Sequence, residues 1–283
     1  MRLAHALLVS HALVLVFCVM GIAIALPNPQ LWANDPIGRQ VFAFGMERGG
    51  MVQIMLAAAA MAVAGGFGIG WRCTLLFAAA TCAISLGYEL LGTGTGFPFG
   101  AYSYTDGLGA KVLDRVPFTI PLSWFYMGFS CYLLGQWLAA RWVLSPRAIW
   151  GVLLGAWLLT GWDTILDPAM AHPEMPLKFW VWHETGPYFG MPAKNFVGWV
   201  ATGVSFMAVF RLLWRSDLTP PSTLVRFSAT VLALNLAFGV ALSLHIGLWA
   251  PGLVALTVGV APVWLVALGG HNPRVYLGRP FGD

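Results

Sequence analysis

Long apolar runs constrain this chain more than any other feature. Eight stretches of about 20 apolar residues follow one another, at 3–26, 51–69, 71–91, 117–140, 147–166, 195–213, 223–245 and 249–268. A helix of that length crosses the hydrocarbon core of a bilayer. The runs are continuous and lack two-residue alternation, so they read as helices rather than barrel strands. Charged residues make up 9% of the chain, against roughly 25% in soluble domains. The expected fold is therefore all-α, a single polytopic transmembrane bundle of about eight helices over 1–283, with no room for a soluble domain. The boundary between the second and third runs rests on Gly70, Trp71 and Arg72, where Gly66 and Gly70 form a GxxxG pair. The first run carries Ala23-Ile24-Ala25, which resembles a cleavage site, but its charged region is Arg2 alone, so it reads as a retained first helix.

Eight spans place both termini on one side. Arg2, Arg72, Arg141, Arg147, Arg211, Arg215, Arg226, Arg274 and Arg279 fall there, with Asp217 and Asp283, and the other six of the 15 cationic residues fall opposite. The excess of Lys and Arg marks the cytoplasmic side. The expectation is a protein of the cell membrane with both termini in the cytoplasm. The positive charge sits at helix ends, so the partner it implies is membrane lipid, not nucleic acid. Cys18, Cys73, Cys82 and Cys131 each stand alone in an apolar run and read as packing residues.

Two long loops, 92–116 and 167–194, fall on the outer side, and both are rich in Gly, Pro and aromatics. Long loops in compact domains are uncommon and often functional. Phe97, Phe99, Tyr102 and Tyr104 lie in the first; Phe179, Trp180, Trp182, Tyr188 and Phe189 lie in the second. Taken singly these aromatics read equally well as an interfacial belt. Nearby carboxylates tilt the reading toward a site. Glu89 lies 17 residues beyond Arg72 and Asp163 lies 16 beyond Arg147, which puts both roughly 25 Å into a core roughly 30 Å thick. An ionisable residue inside a span points to function. Asp167 shares the helix face of Asp163, four residues on. It precedes Pro168, which is expected to end the helix, and a termination role suits it somewhat better. Trp124, Tyr126, Asn195 and Trp199 begin the facing spans at similar depth, so the outer ends of spans three to six are expected to enclose a pocket. Asn235 reads as an interhelical hydrogen bond.

Several chemistries lack their residues. Gly92, Gly94 and Gly96 do not continue into a nucleotide-binding pattern, and His183-Glu184 lacks the spacing of a zinc helix. The three lysines lie in loops, away from any retinal site. His11 and His245 lie at different depths and do not suit haem. No metal site is expected.

The run from Glu89 to Gly100, continuing through Tyr102 and Tyr104, resembles the carotenoid 1,2-hydratases of the CruF type, a group that includes bisanhydrobacterioruberin hydratases. Val116–Phe129 (VPFTIPLSWFYMGF), Gly161–Pro168 (GWDTILDP) and Trp180–Trp199 (WVWHETGPYFGMPAKNFVGW) strengthen the resemblance, which covers roughly Gly87 to Gly203. It implies hydration of the terminal 1,2 double bond of an acyclic end group, as in a lycopene or γ-carotene type of substrate, without a cofactor. Such a reaction needs a protonated carboxyl, for which Glu89 and Asp163 are the candidates. The other carboxylate, or Asp167, would deprotonate the water. Aromatic faces of Tyr102, Tyr104, Trp124, Trp162, Trp180 and Trp182 would steady a cation. His183, Tyr188, Asn195 and Trp199 complete the expected substrate contacts. A cyclase begins with the same protonation. A prenyltransferase would use Asp163 and Asp167 but needs a second Asp-rich motif. A transporter, or a non-catalytic pigment-binding protein, is the remaining class, but transporters put polar sites near the midplane on broken, repeated helices, whereas here the polar cluster sits at one end.

Overall fold

The computed structural model describes residues 1–215 and 218–268. Asp217, Arg274, Arg279 and Asp283 of the charge comparison lie outside them. The fold is an all-α bundle: α1 (Arg2–Met20), α2 (Pro36–Gly68), α3 (Trp71–Thr95), α4 (Thr119–Arg141), α5 (Arg147–Ala171), α6 (Lys194–Leu213) and α7 (Ser222–His245). The last expected span is broken into α8 (Ala250–Val254), a π-turn over Ala255–Gly259 and α9 (Ala261–Leu268). Among the described residues, six helices are long and apolar enough to cross a bilayer: α1 with its extension, α2, α3, α5, α6 and α7. As a long seventh helix, α4 is more polar because it faces protein instead of lipid. It buries 18 of its 23 residues, including Thr119, Ser130 and Gln136, and sits at the centre of the bundle.

Three boundaries differ from the sequence expectation. The second helix begins at Pro36, not near residue 51. Asp35 caps it by accepting from the Gly38 N–H, and proline suits a first helical position. The charges of Arg39, Glu47 and Arg48 disguised this turn-rich start, although Glu47 and Arg48 are exposed and pair with each other. The third helix runs to Thr95, past the glycines, and ends at Gly96 in the left-handed region.

The third difference is Pro168, which lies inside α5 instead of ending it. A proline leaves the carbonyl four residues earlier without its helical donor. Here that carbonyl belongs to Thr164, and the Tyr188 hydroxyl donates to it at 3.0 Å.

Packing relies on small residues, as expected where lipid supplies no drive for helix association. The GxxxG pair that acts here is Gly151–Gly155 on α5. A Cβ on Gly135 of α4 would lie 2.4 Å from the Gly151 carbonyl oxygen and 2.6 Å from the Gly155 nitrogen. Gly70, by contrast, makes the α2–α3 turn with φ +96°, and Gly66 seats the Trp71 ring. Asn235 joins four helices: it accepts from the Tyr126 hydroxyl at 2.9 Å and lies 3.3 Å from His11 Nε2, whose Nδ1 is 2.9 Å from the Gln53 carbonyl. The four cysteines are free thiols, and Cys18, Cys73 and Cys131 are buried.

Gly135→Ala is expected to overpack the α4–α5 contact, a change that costs about 1–3 kcal/mol. The detergent-solubilised variant should unfold at lower temperature than wild type. An unchanged unfolding temperature would contradict this account of the contact.

Candidate active site

The two long loops are paired strands where they meet. β1 (Tyr102–Tyr104) runs antiparallel to β4 (Trp180–Trp182), with Tyr102 opposite Trp182 and Tyr104 opposite Trp180. A second small pair, β2 (Lys111–Val112) with β3 (Val116–Pro117), orders the approach to α4. Alternate residues of a strand share a face. Tyr102, Tyr104, Trp180 and Trp182 therefore all point the same way, into a cavity beneath, while Ser103 points outward and bonds His183 Nε2 at 2.9 Å. The alternations Tyr-Ser-Tyr and Trp-Val-Trp were the signal for these strands in the sequence. Further ties hold the two loops together. The His183 N–H donates to the Ala101 carbonyl, the Thr105 N–H to the Phe179 carbonyl, and the Ala101 N–H to Glu184. Lys194 pairs with Glu184 at 2.9 Å, and its hydrogen bond, with that of Ala101, holds the Glu184 carboxyl below the usual range.

Glu89 is buried near the end of α3. Its Oε1 accepts from the Trp124 indole at 2.8 Å. Its Oε2 accepts from the Tyr104 hydroxyl at 2.8 Å and from the Tyr102 hydroxyl. Burial, with the adjacent Glu89 carboxylate, holds both tyrosine hydroxyls well above their usual range, so they remain donors.

Asp163 and Asp167 are one turn apart on α5, and both are buried. The Asn195 side-chain amide, at the start of α6, donates to Asp163 at 3.0 Å and also to Asp167. The Trp180 indole faces the Asp167 carboxyl from the loop side. Among the described residues no lysine or arginine lines the cavity or pairs with any of these three acids.

The cavity encloses about 100 Å³, less than the roughly 300–1,000 Å³ usual for ligand sites, so it suits the end of a molecule. Of the residues singled out from sequence, Glu89, Asp167, Tyr102, Tyr104, Trp124, Trp162, Trp180, Trp182, Asn195 and Trp199 line it. Asp163 stands behind Asp167, off the wall. His183 is exposed on the outer face of the paired loops, and Tyr188 is spent on the Thr164 carbonyl. Aromatic rings form the floor: Trp124 and Trp199 lie 4.2 Å apart between centroids, with Trp162 edge-on to Trp199 at 5.8 Å. The sequence reading did not include the walls from α1, α2 and α7, where Ile22, Met46, Gln53, Asn235 and Phe238 reach the cavity. Nothing in the apolar runs of those helices distinguishes a residue facing a cavity from one facing a neighbour.

Fold and site together define a membrane-embedded protein with three buried acids at the end of an apolar, aromatic cavity. The family described as carotenoid biosynthesis protein matches residues 49–262, and the chain belongs to it. The chain is 31% identical over 148 residues to a bisanhydrobacterioruberin hydratase of Haloarcula japonica. That match spans 52% of this chain and 48% of the relative, about half of each. No solved structure matches the chain.

Tyr188→Phe should strand the Thr164 carbonyl beside Pro168. Loss of such a bond costs about 1–3 kcal/mol when the acceptor stays buried. Thermal unfolding in detergent should fall accordingly, and an unchanged value would mean that another donor serves that carbonyl.

Proposed function

We propose that this protein is a carotenoid hydratase, adding water across the terminal 1,2 double bond of an acyclic end group to give a tertiary alcohol at carbon 1. The observation that carries this reading is the placement of Glu89 and Asp167 on the wall of one apolar cavity lined by tryptophans, with no neighbouring cation among the described residues. The activity named for the Haloarcula japonica relative supports it. The substrate is a polyene of the lycopene or γ-carotene type. The protein lies in the cell membrane with the site toward the outer face, where water is available.

Asp167, backed by Asp163, is the proton donor in this reading. Its proton passes to carbon 2 of the alkene, whose π electrons form the new C–H bond and leave a tertiary cation at carbon 1. The faces of Trp124, Trp162 and Trp199 stabilise that cation by roughly 0.5–2 kcal/mol each. Water adds its oxygen to carbon 1 and gives up a proton to Glu89, which Tyr102 and Tyr104 hold in place. Return of that proton to Asp167 resets the site, so one water is consumed and no electrons are exchanged. Asn195 fixes the geometry of the aspartate pair. Cyclisation shares the first step and differs in what captures the cation. A prenyltransferase is disfavoured by the lack of Lys or Arg on the described cavity wall to hold a diphosphate.

The test is expression in a lycopene-producing host, with mass spectrometry of the carotenoids. The expected product has gained one water. A ring-bearing isomer of unchanged mass would replace this reading with a cyclase, and unchanged lycopene would remove lycopene as the substrate. Glu89→Gln and Asp167→Asn should each lower conversion by about 100-fold or more. Full conversion by either variant would remove that residue from the chemistry.

A further inference from the structure

The cavity is not closed evenly, and its half-buried lining residues fall into two groups. Tyr104 and Trp182 of the paired loops and Ser123 near the start of α4 carry polar atoms. The other group comes from different elements: Met46 of α2, Leu166 of α5, Phe238 of α7 and Leu177 ahead of β4. These four are apolar. Gln53 is the polar member on this side, and its side-chain carbonyl oxygen is itself buried. Ahead of Met46, α2 leaves Val41 48% and Phe44 54% exposed, and the exposed Glu47–Arg48 pair follows it. Gly45, next to Met46 on the lining, adds no side chain there. A half-buried apolar rim beside exposed apolar side chains, with charges at its edge, is suited to hydrocarbon near the membrane surface.

We propose that this rim, between α2 on one side and α5 and α7 on the other, is a lateral portal through which a long polyene enters from the bilayer. The proposal rests on the carotenoid reading above and adds the route. The occupant is the chain attached to the reacting end, because the rim and the acids line one continuous cavity. Leu166 adjoins Asp167 in sequence, so an end group passing the rim reaches the aspartate pair, while the remaining polyene stays among the lipid-facing surfaces of α2 and α7. The cavity takes the end of the molecule, not its whole length.

Tryptophan at the rim tests this. Wild type and Met46→Trp, Leu166→Trp and Leu177→Trp would be purified in detergent from a lycopene-producing host. Bound carotenoid per protein is read by absorbance and conversion by mass spectrometry. Leu244→Trp, on an exposed part of α7 away from the cavity, is the control. Leu177 lies in a loop, so its variant does not depend on helix packing. The rim variants should lose about tenfold or more in bound carotenoid and in conversion, whereas Leu244→Trp should match wild type and Glu89→Gln should lose conversion alone. Rim variants that bind and convert as wild type does would overturn the portal. So would an equal loss in Leu244→Trp, since the effect would then not belong to the rim. A wild-type protein that neither retains nor converts any of the host's carotenoids would overturn the carotenoid reading itself.

Discussion

A carboxyl group inside a membrane bundle must be surrounded by donors, and Glu89 meets that constraint with three of them. Leaving such a group unpaired away from water would cost several kcal/mol. The donors come from separate parts of the chain: Trp124 from α4, and Tyr102 and Tyr104 from β1. A single side chain on α3 thus fixes the height of the central helix and the position of the loop strand. β1 in turn holds β4 in register, and β4 brings Trp180 to Asp167. The order of the loops above the cavity follows from satisfying one acid.

The second acid cluster is built differently. Asp163 and Asp167 have one amide between them, and one oxygen of Asp163 has no hydrogen-bond partner among the described side chains. Glu89 accepts from three donors, whereas the two aspartates share the Asn195 amide and Asp167 alone faces the Trp180 indole, so the two acidic centres are chemically unequal. That inequality is what a reaction needing both a donor and an acceptor of protons uses. α5 continues through Pro168 because the Tyr188 hydroxyl serves the Thr164 carbonyl that proline leaves without a helical donor.

Much of this was legible in the residues. Apolar length gave the helices, and the shared depth of Glu89 and Asp163 gave the layer in which acids and aromatics meet. Asn235 was read as an interhelical bond, and it is one. Pro168 misled because its local preference was overruled by a tyrosine twenty residues on. The start at Pro36 was hidden by charges that a helix end at the membrane surface tolerates. The rim at Met46, Leu166 and Phe238 left no trace, because a side chain beside a cavity and one beside a neighbour have the same composition.

Burial also bears on what happens to a cation formed in such a cavity. Its fate is set by the first nucleophile it meets. Aromatic floors steady it without capturing it, since addition would destroy the indole's aromaticity. A second alkene of the same polyene would have to fold back into the pocket to close a ring. Trp124, Trp162 and Trp199 line the cavity and pack against one another, and in the proposed reading they narrow the room for that fold. Water needs only a polar edge, and the Glu89 side of the cavity carries the hydroxyls of Tyr102 and Tyr104. The two tyrosines that help settle a buried carboxylate therefore also place, in the proposed reading, the polar edge where a captured water would lose its proton, which favours hydration over cyclisation.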